Sequence, residues 1–446
     1  MRFHPSTVFA SPFRGPRCRK LFAAIGFTLP FALGTAAPAQ WTGFQNSGRP
    51  IVAADDLPVD WSPEQHVAWT ADVEGYGQSS PVIARGLVVV TSTSGDNKDR
   101  CHISAFVLAS GKPKWTLTRD NPSPFENTPM VSRAAPSPIA TDDGFIAAFE
   151  GGLVVAVDDS GSPKWELNLV ERYGAIEARH GLAASLEQND RFVFVWVERQ
   201  TDPYVLAIDK HSGEVIWKSA GVGATSWASP RLVSVAGDDH LVCSASGTII
   251  GLDTQTGQPL WRLDGLANNT SCTPVPAGEG SFLVGASDGR GEATPTGAAN
   301  ANGLVKVTRS PDRNYQAEYV WRADKATCSF GSPVAVGDQA WFVNRAGVLY
   351  RLDLKTGERL GTERLESGSL WATPLITKET AYLFGYKGTT SVLNPDSGRE
   401  IATNRLWKES GDGSPFGGRG PVLYAAAATA ETLILRTGDR LYALRK

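Results

Sequence analysis

Ten residues, Leu252-Asp253-Thr254-Gln255-Thr256-Gly257-Gln258-Pro259-Leu260-Trp261, decide the fold of this chain. An apolar strand ends at Leu252. The Asp253 carboxylate can accept hydrogen bonds from the backbone N–H groups just ahead of it, which favours a turn. Gly257 can take a positive φ that most residues resist. Trp261 opens the next strand with a large apolar ring. The stretch reads as a β-hairpin with a bulky anchor at a fixed place. It recurs with the same interval at Gly111 to Trp115, Gly161 to Trp165 and Gly213 to Trp217. Two copies keep the turn and lose the ring: Asp353 to Gly357 leads to Gly361, and Asn394 to Gly398 leads to Ala402. The copy ending at Trp321 has lost its glycine turn to an insertion.

A second marker precedes each hairpin: a small hydroxyl residue and Pro, then an apolar strand. The copies are Ser80-Pro81, Ser137-Pro138, Ser229-Pro230, Thr273-Pro274, Ser332-Pro333 and Thr373-Pro374. Ala184-Ser185-Leu186 is a degenerate copy, and Gly420-Pro421 reads as the last. Proline at the start of a strand is tolerated. The spacing is the roughly 40–50 residues that signal propeller blades, each of four short strands.

The pattern apolar-Asp-x-x-Thr/Ser-Gly-x-x-x-Trp resembles the PQQ-like repeat of eight-bladed β-propellers, and it covers nearly the whole chain after the N-terminal segment. That family includes periplasmic quinoprotein alcohol dehydrogenases and the BamB-type propellers of outer-membrane β-barrel assembly. The resemblance implies that each Trp docks one blade on the next, here Trp69, Trp115, Trp165, Trp217, Trp261 and Trp321. Gly361 and Ala402 depart from the pattern, so contacts there must be made differently. The predicted fold is all-β: an eight-bladed β-propeller of four-stranded antiparallel blades, occupying 66–446 as one domain. Residues 67–73 form a strand carrying Trp69 with no hairpin before it. Residues 422–426, 432–436 and 440–444 supply three strands and no fourth. The two ends are expected to share one blade and close the ring, which removes exposed sheet edges. Residues 40–65 are rich in turn-formers and read as an irregular arm on the disc.

The N-terminus is a separate object. Arg14, Arg17, Arg19 and Lys20 precede an apolar run over 21–33, and Ala37-Pro38-Ala39 offers a cleavage site before Gln40. Residues 1–39 read as a secretory signal peptide, and the run is short for a membrane span. A periplasmic or secreted protein with no span after cleavage is expected. Cys18 lies before the apolar run rather than after it, which argues against the lipid anchor of familiar BamB proteins. Residues 1–39 hold five basic and no acidic residues, so their loss moves the formal charge from −3 to −8. An acidic surface argues against nucleic acid or an anionic membrane as partner. Cys101, Cys243, Cys272 and Cys328 match no metal-site spacing. Export permits disulfides, and Cys272 and Cys328 are read as either a bonded pair or buried free thiols.

No catalytic signature emerges. The pairs Asp142-Asp143, Asp158-Asp159 and Asp238-Asp239 all read as hairpin-turn residues. The segment Asp96-Asn97-Lys98-Asp99 lacks the glycine and terminal glutamate of a calcium loop. The histidines are scattered, the glycine run before Pro421 lacks the Gly-Lys-Ser/Thr of a phosphate loop, and no Gly-x-Ser-x-Gly elbow occurs. Quinoprotein dehydrogenases, by resemblance, use Ca²⁺, an Asp base, a Trp platform and usually adjacent cysteines, and this chain has no adjacent pair. One surface stands out. The loops before the inner strands converge at one mouth of the central channel and carry Tyr76, Gln78, Arg133, Glu177, Arg179, His180, Trp227, Asn268, Asn269, Phe330, Trp371, Phe416 and Arg419. Aromatics and arginine are typical interface anchors. The bland alternative is that Trp227 and Trp371 only pack blades. The expected function is a monomeric, non-catalytic interaction scaffold with envelope protein partners and without cofactor. Alternatives are a PQQ- and Ca²⁺-dependent dehydrogenase, or a carbohydrate- or peptide-binding module.

Overall fold

The computed structural model describes residue 1 and residues 40–54, 56–126, 131–178, 180–223, 227–287, 295–298, 300–408 and 420–446. The signal-peptide expectation for 1–39 therefore falls outside the described residues, Met1 apart.

From residue 40 onward the strands form eight four-stranded antiparallel sheets arranged as consecutive blades. Blade 1 runs from Val82–Ala84 to Pro113–Asp120, and blade 2 from Ile139–Thr141 to Pro163–Asn168. Blade 3 runs from Glu187–Gln188 to Val215–Ala220, and blade 4 from Arg231–Val235 to Pro259–Asp264. Blade 5 runs from Val275–Pro276 to Tyr315–Arg322, blade 6 from Val334–Val336 to Arg359–Arg364, and blade 7 from Leu375–Ile376 to Glu400–Arg405. Blade 8 combines Ala425–Ala428, Leu433–Arg436 and Arg440–Leu444 with Val67–Asp72. The ring thus closes by pairing the chain ends, with Trp69 opposite Ala443 and Asp72 opposite Arg440.

The repeated stretch behaves as its chemistry dictates. Asp253 Oδ1 accepts from the Gln255 and Thr256 amides, both at 2.8 Å, and Gly257 adopts φ +72°. The positive φ is half the reason for glycine. The other half is the neighbouring ring: a Cβ on Gly257 would stand 2.6 Å from Trp217 Cε3. Wherever the preceding blade carries the Trp, the turn glycine seats it in the same way, giving Trp69 on Gly111, Trp115 on Gly161, Trp165 on Gly213 and Trp321 on Gly357. The indole N–H completes each seat by donating to a carbonyl of the same turn, as from Trp165 to Lys210 O at 2.9 Å. Trp261 differs. It stacks on Phe282 of blade 5, but blade 5 has no glycine turn, and its indole donates to His240 Nδ1 inside its own blade.

The two departures from the pattern have separate solutions. Where Gly361 replaces Trp, the Arg351 side chain fills the seat: a Cβ on Gly398 would stand 2.2 Å from its Nε. Its guanidinium is held by Gln339 Oε1 and Glu363 Oε1, each at 3.1 Å. Where Ala402 replaces Trp, the next blade has no turn to dock, because that blade holds the chain ends. The arm supplies Trp61 instead, stacked on Tyr382 at 6.3 Å in the same core cluster that Ala402 packs against. Asn404 fixes it, accepting from Trp61 N at 3.0 Å and donating to Val59 O at 2.8 Å.

The second marker also has a physical role. The Ser80 amide donates to Ser137 Oγ, Ser137 to Ser185, Ser185 to Ser229, Ser229 to Thr273 and Thr273 to Ser332, at 2.8–3.0 Å. The degenerate copy at Ser185 is a full member of this seam. Ser185→Ala leaves the buried Ser137 amide without an acceptor and is expected to cost about 1–3 kcal/mol. Urea denaturation measures this, and Ser185→Thr should restore most of it, since Thr273 fills the equivalent place.

Three expectations are corrected. The last marker is not Gly420-Pro421. Every other marker hydroxyl lies two residues before its inner strand, and in blade 8 that position is Leu423. Blade 8 therefore has no seam hydroxyl. Its buried Arg436 braces the closure, donating to Ser79 O at 2.8 Å and to Thr91 O of blade 1. The first blade 8 strand is likewise Ala425–Ala428 rather than 422–426, because Leu423 and Tyr424 give their amides to Tyr386 O and Arg436 O. Asp238 and Asp239 begin a strand, since Ala236 and Gly237 take the positive-φ turn before them. None of the four described cysteines is in a disulfide and all four are buried, which resolves Cys272 and Cys328 as thiols.

Candidate functional site

The arm crosses one opening of the channel. Trp41 exchanges hydrogen bonds with Ile83 of blade 1, Thr42 O accepts from Ala140 of blade 2, and Pro50 O accepts from Ile376 of blade 7. Between them Gln45, Asn46, Ser47 and Gly48 run consecutively through φ +56°, +48°, +53° and +81°. A left-handed turn costs roughly 1–2 kcal/mol per non-glycine residue, so it persists only where its surroundings hold it. Arg231 does so, donating to Phe44 O at 3.2 Å and Gln45 Oε1 at 3.1 Å. The same guanidinium pairs with Glu187 Oε2 at 2.7 Å, and both side chains are buried. Burial pushes the Glu187 carboxyl up against the pull of Arg231.

The channel is therefore a cup of about 260 Å³. Phe44 and Gln45 line its closed end, and the seam residues Ser80, Ser137, Ser185, Ser229 and Ser332 line its wall. At the open mouth the aromatics form a belt. His180 lies 5.6 Å from Trp227, Trp227 6.5 Å from Phe330, and Phe330 5.3 Å from Trp371. Trp371 stacks on Tyr386 at 5.6 Å and meets Tyr424 at 5.9 Å. Tyr424 OH lies 2.8 Å from Tyr76 OH, and Arg133 covers the Tyr76 ring at 4.4 Å. Burial, with the Tyr424 hydroxyl, pushes the Tyr76 phenol up.

Buried polar groups hold the loops that carry this belt. Lys98, from the insertion in blade 1, lies over the Phe125 ring and donates to Ser132 O at 3.1 Å. Its partner Glu150 accepts from the Ala134 amide at 2.9 Å. Burial pulls the Lys98 amine down and the Glu150 carboxyl up. Ser132 N then donates to His180 O at 2.8 Å, tying the loop before blade 2 to the loop before blade 3. Arg199 pins the start of that second loop through Tyr173 O at 2.8 Å.

Of the expected mouth residues, Tyr76, Gln78, Arg133, His180, Trp227, Phe330 and Trp371 converge. Glu177 and Asn268 are exposed and do not line the cup. Asn269 belongs to the framework, accepting from Gly247 N and donating to Ser244 Oγ and Thr248 O. Arg179, Phe416 and Arg419 lie outside the described residues. The reading missed Tyr386 and Tyr424, and it missed the arm as the floor. Tyr424 was findable, because it occupies the place of the marker proline once the blade 8 register is set at Leu423.

A calcium-bound quinone needs carboxylate and amide oxygens clustered beside an aromatic plate. Among the described residues no carboxylate lines this cup, and no three His, Cys, Asp or Glu side chains converge on one point. The donor set does not fit that group, and no step is derived through it.

Eight docked blades, the Trp-on-Gly seats and the end-sharing closure define a PQQ-like repeat propeller. The sequence matches the family model described as outer membrane protein assembly factor BamB over residues 43–195, 201–306 and 312–446, and the chain belongs to that family. It is 27% identical over 230 residues to the BamB of Burkholderia pseudomallei, covering 50% of this chain and 54% of that protein. It thus spans about half the length of that relative. It is 25% identical over 314 residues to the BamB of Yersinia pestis, covering 69% of this chain and 70% of that one. The crystal structure of BamB from Moraxella catarrhalis superposes with a TM-score of 0.57 at 14% identity, over 85% of this chain and 99% of that chain. The quinohemoprotein alcohol dehydrogenase from Comamonas testosteroni superposes with a TM-score of 0.56 at 11% identity, over 92% and 81%. Both structural likenesses concern the fold alone. No helix among the described residues is long and apolar enough to cross a membrane.

Proposed function

We propose that this protein is a non-catalytic docking scaffold of the cell envelope, exported to the periplasm, which presents its aromatic mouth to an extended segment of an outer-membrane assembly partner. The belt from His180 through Trp227, Phe330 and Trp371 to Tyr424 and Tyr76 carries this reading. Trp and Tyr dominate interface hot spots because a rigid, half-exposed ring gives much contact area for little entropy. These rings are half-buried rather than sunk in the core. Family membership supports the class of partner, since the relatives named above are outer membrane protein assembly factors.

The test is capture of envelope partners from cross-linked cells by the tagged protein. The double variant Trp227→Ala/Trp371→Ala is expected to lose partner recovery by at least about tenfold, as removal of two hot-spot rings requires. Circular dichroism and melting temperature serve as the folding control. A folded double variant with undiminished capture overturns the assignment of the mouth.

A further inference from the structure

Six polar groups of the cup share one property. Each already accepts a hydrogen bond from the framework and keeps its protons free. Ser137, Ser185, Ser229 and Ser332 each accept a backbone N–H through Oγ, and none of these hydroxyls donates to a described residue. Gln78 Oε1 accepts from the Arg133 amide and Gln45 Oε1 from Arg231, so the NH₂ groups of both amides remain. Ser132, 7% exposed and on the same wall, has a buried Oγ with no partner. Among the described residues no carboxylate, which would repel an anion, lines the cup. Glu187 is turned to Arg231 and Glu150 to the Ala134 amide. A wall whose protons are free while many of its oxygens already accept suits a ligand rich in lone pairs better than one that brings only N–H groups. Charge-assisted bonds to hydroxyl and amide donors are the strong version of that match. The belt above the wall is apolar, and 260 Å³ falls just below the roughly 300–1,000 Å³ of drug-sized ligand sites, which limits the buried part of a ligand to a small group.

We propose that the cup binds a carboxylate carried on an apolar or aromatic body, the carboxylate entering the hydroxyl wall and the body resting against Trp227, Phe330 and Trp371. This deepens the mouth reading and rests on it only in sharing the entrance. The carboxylate has two sources, a free small acid or the C-terminus of a polypeptide.

The test uses the full exported chain and follows tryptophan fluorescence and calorimetric heat. Phenylacetate, phenylacetamide and phenethylamine are titrated first, then a tetrapeptide ending in leucine with its C-terminus free or amidated. The expected result is saturable binding of a carboxylate form at least about tenfold tighter than its amide, with no binding of the amine. Ser132→Ala should weaken the carboxylate by several-fold and leave the melting temperature unchanged, because its hydroxyl has no partner to lose. Preference for the free-ended peptide over phenylacetate assigns a polypeptide end, and the reverse assigns a small acid. Equal binding of acid and amide, or no millimolar binding of either carboxylate, overturns the inference. Partner capture by the unaltered mouth would be unaffected by that failure, so the two readings fall separately.

Discussion

Glu187→Leu is expected to destabilise the protein by about 3–5 kcal/mol, because removing one member of a buried ion pair strands the other charge without solvent or partner. Arg231 would keep its bonds to Phe44 O and Gln45 Oε1, but these are neutral acceptors for a buried guanidinium. Urea denaturation reads the loss. The double variant Glu187→Leu/Arg231→Met should recover much of it, since paired removal of buried charges is often nearly neutral. It should not recover the arm, which loses its Arg231 clamp, and limited proteolysis within 40–52 should then cut the double variant faster than the parent. Equal stability of Glu187→Leu and the parent would show that the pair does not anchor this region.

Gly213→Val is expected to cost about 2–5 kcal/mol. Two terms add. A β-branched residue at φ +73° bears roughly 1–2 kcal/mol of backbone strain. Its Cβ would also stand 2.7 Å from Trp165 Cδ2 and Cγ, forcing a rigid ring from its seat at about 1–3 kcal/mol. Gly237→Val separates the terms, because φ there is +86° and an added Cβ meets nothing within 4 Å. Only the backbone strain should appear in that variant. If both valines cost the same in urea denaturation, the ring seat contributes nothing and the account of blade docking fails.

These variants mark the boundary of what could be read in advance. Local physics was legible: Asp253 folds its own turn, Gly257 takes its own φ, and Trp261 announces its strand, so blade number and order followed from the residues. The end-sharing blade was legible because Val67–Asp72 had an anchor without a hairpin. What stayed hidden depends on partners far away in sequence. Nothing near Gly361 points to Arg351 as the substitute ring, and nothing near Ala402 points to Trp61. The arm reads as turn-formers, yet its left-handed turn is fixed by Arg231, 186 residues on from Gln45. The mouth was half legible for the same reason. Residues standing just before inner strands must face the channel, which placed Gln78, Trp227 and Trp371, whereas Tyr386 follows the second strand of blade 7 and reaches the belt only by stacking on Trp371.

The shared blade also sets an order of events. Val67–Asp72 is made early and pairs with Arg440–Leu444, the last strand of the chain; the Arg440–Asp72 bond joins residues 368 apart. Seven blades can form from local hairpins as the chain emerges, but the eighth waits for the C-terminus. Contacts at such sequence separation carry the largest loop-closure entropy and come late in folding. During synthesis the first strand is therefore an unpaired edge, and truncation of even the last ten residues leaves it one permanently.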